Sequence, residues 1–168
     1  LLQYFVRILQ VGGSENGNSF MGFGLFFALW VVIVAKFSDI GALLIGKAIG
    51  RTKMAPSISP GKTIEGLLGG FAASAGIGAL LPWLFQEKIT DVVFFGDWIF
   101  TPSQGAFWGI LLALSAVIGD LIVSVLKRLA TMKDSGGAIP GIGGLFDLTD
   151  SLILAAPTGY FILFFLQR

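Results

Sequence analysis

At 168 residues, 55% hydrophobic, 12% charged and with a mean hydropathy of +0.86, the chain is too apolar for a water-soluble domain, in which about a quarter of residues are charged. A net charge of +1 provides no basic face for a nucleic-acid partner. The absence of Cys and His excludes disulfides, thiol chemistry, Cys or His metal sites and the commonest general base, leaving carboxylates, Lys/Arg, hydroxyls, backbone groups and a hard metal.

A membrane-spanning helix needs about 20 mostly apolar residues, and four segments meet this. Leu1–Gln10 reads as the end of a helix, and the chain as the C-terminal part of a longer protein, one membrane-embedded domain over residues 1–168. A polar turn, Gly12–Ser19, leads into the first span, Phe20–Phe37. The Gly-spaced stretch Asp39–Gly50 reads as a short intramembrane helix. After the basic, Pro-punctuated loop Arg51–Thr63 comes the second span, Ile64–Phe85, with Gly66, Gly69, Gly70, Gly76 and Gly78 as small residues that let helices approach closely. The acidic loop Gln86–Ser103 precedes the third span, Gln104–Leu126, and the basic, Gly-rich loop Lys127–Gly143 precedes the fourth, Gly144–Leu166. The fold class expected is all-α: a polytopic bundle of about four full spans plus one short intramembrane helix.

Seven of the eleven Lys/Arg lie in or beside two of these loops: Lys47, Arg51, Lys53, Lys62, Lys127, Arg128 and Lys133. Two loops separated by two spans share a side, and the positive-inside rule places both in the cytoplasm, with residues 86–103 outside.

Ionisable residues inside spans are costly and point to function. Asp120 lies about 10 Å from the basic end of the third span at 1.5 Å per residue. Ser124 and Lys127 share its helix face at i+4 and i+7, and Arg128 follows. Asp147 and Asp150, at i and i+3, share a face near the start of the fourth span. Because the third span ends and the fourth begins on one side, Asp120 and Asp147 can meet at one depth. Such an oxygen-donor set suits Mg²⁺. The structural alternatives are an Asp120–Lys127 pair that fixes packing, and Asp147 and Asp150 placed to suit a helix dipole.

The run Lys133-Asp134-Ser135 and the glycines up to Gly144 lead into a helix start that exposes backbone N–H groups to anions. Beside Lys127, Arg128 and Lys133 it reads as a phosphate cradle; a plain connector is the alternative. In Ser59-Pro60-Gly61-Lys62-Thr63-Ile64-Glu65-Gly66, Thr63 can cap the second span and Glu65 can sit in its first turn. Lys62 is a cation where the dipole opposes it, which points to an anionic ligand.

The string Ser124-x-x-Lys127-Arg128-x4-Lys133-Asp134, followed by Pro140-Gly141-Ile142-Gly143-Gly144-x-x-Asp147-Leu148-x-Asp150, resembles the signature of the phosphatidate cytidylyltransferases (CDP-diacylglycerol synthases). Asp39-Ile-Gly41-Ala42, Gly46-Lys47, Gly50 and the Ser59–Gly66 segment resemble that family's first cytoplasmic segment. Ile142 stands at the signature His and Leu148 at the signature Arg, which marks a divergent subfamily.

The resemblance implies a membrane-embedded catalytic domain that transfers CMP from CTP to phosphatidate. The products would be CDP-diacylglycerol and pyrophosphate, in phospholipid biosynthesis. It implies Mg²⁺, with room for a second cation, held by Asp120 and Asp147 with Asp150 as a further ligand. Lys127, Arg128 and Lys133 would hold phosphates, and Lys62, with Ser59, would face the triphosphate or the lipid head group. Ser124, Asp39 and Asp134 are further substrate-side candidates. The implied setting is a bacterial inner membrane with the site facing the cytoplasm, with membrane lipids and a second copy of the chain as candidate partners, and no nucleic acid. The rivals are a CTP-dependent kinase or cytidylyltransferase for another lipid of polyprenol type, and a transport or non-catalytic membrane protein.

Overall fold

The computed structural model describes residues 2–11, 20–56, 59–86, 94–95, 98–129 and 150–166. In chain order these form α1 (Leu2–Val11), α2 (Phe20–Ile49), β1 (Lys53–Ala55), β2 (Ser59–Thr63), α3 (Ile64–Gln86), β3 (Phe94–Phe95), β4 (Trp98–Ile99), α4 (Pro102–Leu129) and α5 (Leu152–Leu166).

Three helices are long and apolar enough to cross a membrane: Gly24–Ile49, Ile64–Phe85 and Pro102–Leu129. By their length and apolar composition these helices make the chain an integral membrane protein. Its outward surface is that of a lipid-facing bundle, with Leu68, Trp83, Phe107 and Leu126 more than half exposed.

The expected all-α bundle is present, with two corrections to its parts. The first span and the short intramembrane helix are one helix: α2 runs through Ser38 for 30 residues without a break. No Pro interrupts it, and its glycines serve packing against a neighbour. Of the expected fourth span the described part is the apolar helix Leu152–Leu166; residues 144–149 lie outside the described residues. Two short antiparallel hairpins, β1–β2 and β3–β4, also stand in loops where the sequence shows no strand alternation.

Helices α2, α3 and α4 pack side by side, and α5 closes against α4 and α2. The apolar core lies towards the end away from the basic loops, around Phe27, Trp30 and Val31 of α2, Phe100, Leu112 of α4 and Ile162 of α5. The Trp30 indole donates to the Gly78 carbonyl of α3 at 3.1 Å. Away from water, that bond satisfies a donor that would otherwise be costly to bury.

Glycine sets the helix spacing. A Cβ on Gly78 would run into the Gly105 carbonyl oxygen and one on Gly105 into that of Gly78, so α3 and α4 touch backbone to backbone. A Cβ on Gly41 of α2 would lie 2.9 Å from the Gly69 carbonyl oxygen of α3. Close approach of small residues thus replaces the hydrophobic drive that lipid cannot supply. Gly76 is the exception among the glycines singled out from sequence, with open space where its Cβ would stand. Contacts to α5 and the turn before it are mixed: a Cβ on Gly159 would meet the Val31 side chain, and one on Gly119 the Asp150 carbonyl oxygen at 3.2 Å and then the Leu154 side chain.

A charged cavity between α2, α3, α4 and the head of α5

The residues that turn α2 into α3 place the first functional side chains. Gly50 caps α2, its N–H donating to the Gly46 carbonyl at 3.1 Å. The chain then folds back through the β1–β2 hairpin, in which Lys53 pairs with Thr63. Thr63 caps α3 as its sequence position predicts, its hydroxyl accepting from the Gly66 N–H at 3.1 Å. Glu65 in the first turn accepts the Thr52 N–H at 3.1 and 3.2 Å, and the Thr52 carbonyl accepts from Ile64 N–H at 3.0 Å. Both backbone groups of Thr52 are therefore tied to the start of α3, which fixes the hairpin and Lys62 on its second strand.

Behind this hairpin lies a cavity of about 560 Å³. It is lined by Lys36, Asp39 and Leu43 of α2, Met54, Ser59 and Lys62 of the hairpin, Thr63 and Leu67 at the head of α3, Val117 and Asp120 of α4, and Asp150. Its lining joins charged groups to apolar ones, as a site for a polar head on an apolar tail requires.

The Lys62 ammonium stands 2.5 Å from Asp120 Oδ2, with the two side chains 24% and 28% exposed. The contact is one of charge: the ammonium is buried without an acceptor in hydrogen-bond geometry among the described residues. The anion that Lys62 called for is thus, in this state, a carboxylate of the chain itself. Asp120 takes a cation from the hairpin, where helix-face spacing alone points to Lys127.

Asp150 lies in the turn before α5, outside that helix, and accepts the Ser151 N–H at 2.6 Å. Burial and then the charge of Asp120 push its carboxyl up to about 6, and the two carboxyl groups are within hydrogen-bonding reach. Two facing carboxylates form an oxygen-donor pair whose mutual repulsion a hard divalent cation would relieve, so these residues fit Mg²⁺. Among the described residues, no group of three or more acidic, His or Cys side chains stands close enough to hold a metal. Asp147, the expected second ligand, lies outside the described residues, as do Lys133, Asp134, Ile142 and Leu148.

On the opposite wall, Lys36 pairs with Asp39 at 3.5 Å and donates to the Ser151 hydroxyl at 2.9 Å. Asp39 also accepts a hydrogen bond from Ser151. This cluster joins α2 to the head of α5.

The model of the cytidylyltransferase family matches residues 4–166 of the chain. The chain belongs to the cytidylyltransferase family. It is 41% identical to a phosphatidate cytidylyltransferase of Synechocystis sp. over 124 residues, which are 74% of this chain and 38% of that protein. It is 37% identical to an uncharacterized protein of Escherichia coli over 83% of this chain and 43% of the relative. It is 36% identical to a phosphatidate cytidylyltransferase of Chlamydia trachomatis over 99% of this chain and 52% of the relative. The chain spans about half the length, or less, of these relatives.

In this cytidylyltransferase-family chain, the cavity brings together Asp39, Ser59, Lys62, Asp120 and Asp150. Ser124, Lys127 and Arg128 stand further along α4 and do not line it; Arg128 is exposed on the last turn. Two residues of the site were missed from sequence, Lys36 and Ser151. Lys36 carried the signal that found Asp120, a charge deep in an apolar run. It went unread because the first span ended at Phe37, which made Lys36 look like a flanking cation. Ser151 carried no signal beyond its position after Asp150.

Proposed function

We propose that this chain carries the catalytic site of a phosphatidate cytidylyltransferase, which joins CTP and phosphatidate to give CDP-diacylglycerol and pyrophosphate. The observation that carries the proposal is the gathering of Asp39, Asp120 and Asp150 with Lys36 and Lys62 in one part-apolar cavity, in a chain of this family. The names of the relatives support the choice of substrates.

A phosphate monoester is already anionic at neutral pH, so its oxygen can attack the α-phosphorus of CTP without a strong base. The new P–O bond forms as the bond from the α-phosphorus to the bridging oxygen breaks, and pyrophosphate leaves with that electron pair. The task left to the chain is to align two anions and offset their charge. Asp120 and Asp150, with Asp147, would hold Mg²⁺, which when bound supplies positive charge to the phosphates. Lys62 is placed on an anchored hairpin to exchange its carboxylate partner for a phosphate. Lys127, Arg128 and Lys133 belong to the cytoplasmic approach, where they would draw in the nucleotide. Leu43, Met54 and Leu67 supply apolar wall for the lipid. We place this end of the bundle at the cytoplasmic face of a bacterial inner membrane, following the excess of Lys/Arg in its loops.

The test is pyrophosphate release by the full-length protein with CTP, Mg²⁺ and a panel of lipid phosphates, with and without EDTA. EDTA-sensitive release with phosphatidate is expected. Release only with a polyprenyl phosphate would move the activity to another lipid. CTP-dependent phosphorylation of a lipid alcohol would make the protein a kinase. Silence across the panel, with no CTP bound, would reject an enzymatic role.

A further inference from the structure

Lys36 is the deepest charge in the cavity. It stands 13 residues before the end of α2 at Ile49, about 20 Å along the helix at 1.5 Å per residue. An ammonium at such depth is expensive. A tie between α2 and α5 through Ser151 needs only a neutral donor, so the hydrogen bond alone does not explain a full positive charge. The charge has a target. Lys36 faces Asp39 directly, and its field reaches Asp150. Lys62 does the same for Asp120. Around one cavity, then, three carboxylates are interleaved with two ammonium groups, and the lining is left with a single net negative charge.

We propose that Lys36 is an internal counter-ion that holds down the cavity's affinity for free divalent cation, so that the metal enters with the nucleotide and not ahead of it. This rests on the metal and nucleotide reading given above. A bare divalent ion approaching Asp120 and Asp150 meets the repulsion of two ammonium groups within a low-dielectric cavity. An ion carried on a triphosphate meets the reverse, because the phosphates bring negative charge that Lys36 and Lys62 attract. Lys36 thereby makes the empty site tolerable inside a membrane and the loaded site preferred. It acts through its charge on neighbouring carboxylates and is a positioning residue, not a catalytic one.

The proposal differs in sign from a purely structural role. If Lys36 only ties two helices together, its loss should loosen the Asp150 turn and weaken metal binding. If it is a counter-ion, its loss should tighten it. The probe is Mn²⁺, titrated into the purified full-length protein in detergent and followed by the paramagnetic resonance of the free ion, with and without CTP. Thermal unfolding of each variant is recorded in parallel. Wild type should bind Mn²⁺ weakly alone and more tightly with CTP. Lys36→Met should bind Mn²⁺ without CTP at least about tenfold more tightly, a modest part of what Coulomb's law allows for a unit charge at these separations. Lys36→Arg should stay within about threefold of wild type, since the charge is kept. Asp39→Asn, which leaves the Lys36 charge uncompensated, should bind about tenfold more weakly. It also provides the test if Lys36→Met does not fold. Unchanged or weaker binding in Lys36→Met, or unchanged binding in Asp39→Asn, overturns the proposal. Wild type that binds no Mn²⁺ even with CTP would instead overturn the metal reading of the site, and the counter-ion role with it.

Discussion

Lys62 of a short hairpin and Asp120 of a long helix, far apart in sequence, meet at 2.5 Å on the wall of the cavity. The pair couples a loop to the interior of the bundle, and each member would be an isolated buried charge without the other. Breaking a buried pair by removing one partner costs about 3–5 kcal/mol because the remaining charge is left uncompensated; partial exposure here lowers that figure. Asp120→Asn should therefore cost both stability and turnover. CTP-dependent pyrophosphate release should fall at least about tens-fold, since losses even of groups behind metal ligands cost about 10–100-fold. A rate near that of wild type would show that Asp120 is not a metal ligand. Combining it with Lys62→Met should restore much of the lost thermal stability and none of the activity.

The sidedness of the bundle can be read with two cysteines in this Cys-free chain. Gly61 is exposed with open space around it, and Ser103 is exposed at the opposite end of α3 and α4. Gly61→Cys should react with an impermeant thiol reagent only from the cytoplasmic side and Ser103→Cys only from the other. Labelling of both from one side would overturn the three-span arrangement.

Glycines predicted to allow close packing should divide by what lies beside them. Gly105→Val forces a side chain into the Gly78 backbone, where no flexible neighbour can give way. Overpacking of this kind costs about 1–3 kcal/mol or more, and the melting temperature in detergent should drop. Gly76→Ala meets nothing within 4 Å. It should be neutral or slightly stabilising, because Ala gains up to about 1 kcal/mol over Gly in a helix. Equal effects at the two sites would contradict the backbone seam.

Glu65 should matter through Thr52. Glu65→Ala removes the acceptor for the Thr52 N–H, so hydrogen exchange at that amide should speed up and the KM for CTP should rise as Lys62 loses its fixed perch. Glu65→Gln keeps one carbonyl acceptor and should fall between. Unchanged exchange in Glu65→Ala would show that the strand pairing alone holds the hairpin.

Much of the fold could be read from the chain because lipid imposes a simple rule, long apolar helices with small residues at their contacts, and α2, α3 and α4 obey it. The break expected at Ser38 was an error of that rule: a buried serine inside an apolar run resembles a boundary, whereas α2 absorbs it by continuing. The hairpins were invisible because three of the four strands have only two or three residues and the five-residue β2, Ser-Pro-Gly-Lys-Thr, carries no apolar alternation. Within the site, Asp120 stood out as a charge inside a span and Lys62 as a cation against a helix dipole, while Asp39 was reached through the family resemblance. Which cation meets which carboxylate did not follow, since helix-face geometry favoured Lys127 for Asp120 while the partner comes from a hairpin whose path depends on Thr52, Thr63 and Glu65. Long-range pairing of this sort is decided by how a loop folds back, and no local spacing records it.

The glycine contacts among α2, α3 and α4 leave few side chains that could rotate to change the distances between them. The three helices form a slab of set thickness, and β2, continuous with α3, belongs to it. Helix α5 meets that slab through side chains at Val31 and Leu154, but the turn before it, which bears Asp150, sits with a backbone carbonyl against Gly119 of α4. The Asp120–Asp150 gap is therefore set at Gly119, one residue from Asp120, while the rest of α5 can repack. A side chain added at Gly119 should then move Asp150 away from Asp120, whereas one added at Gly159 should displace only the Val31 contact.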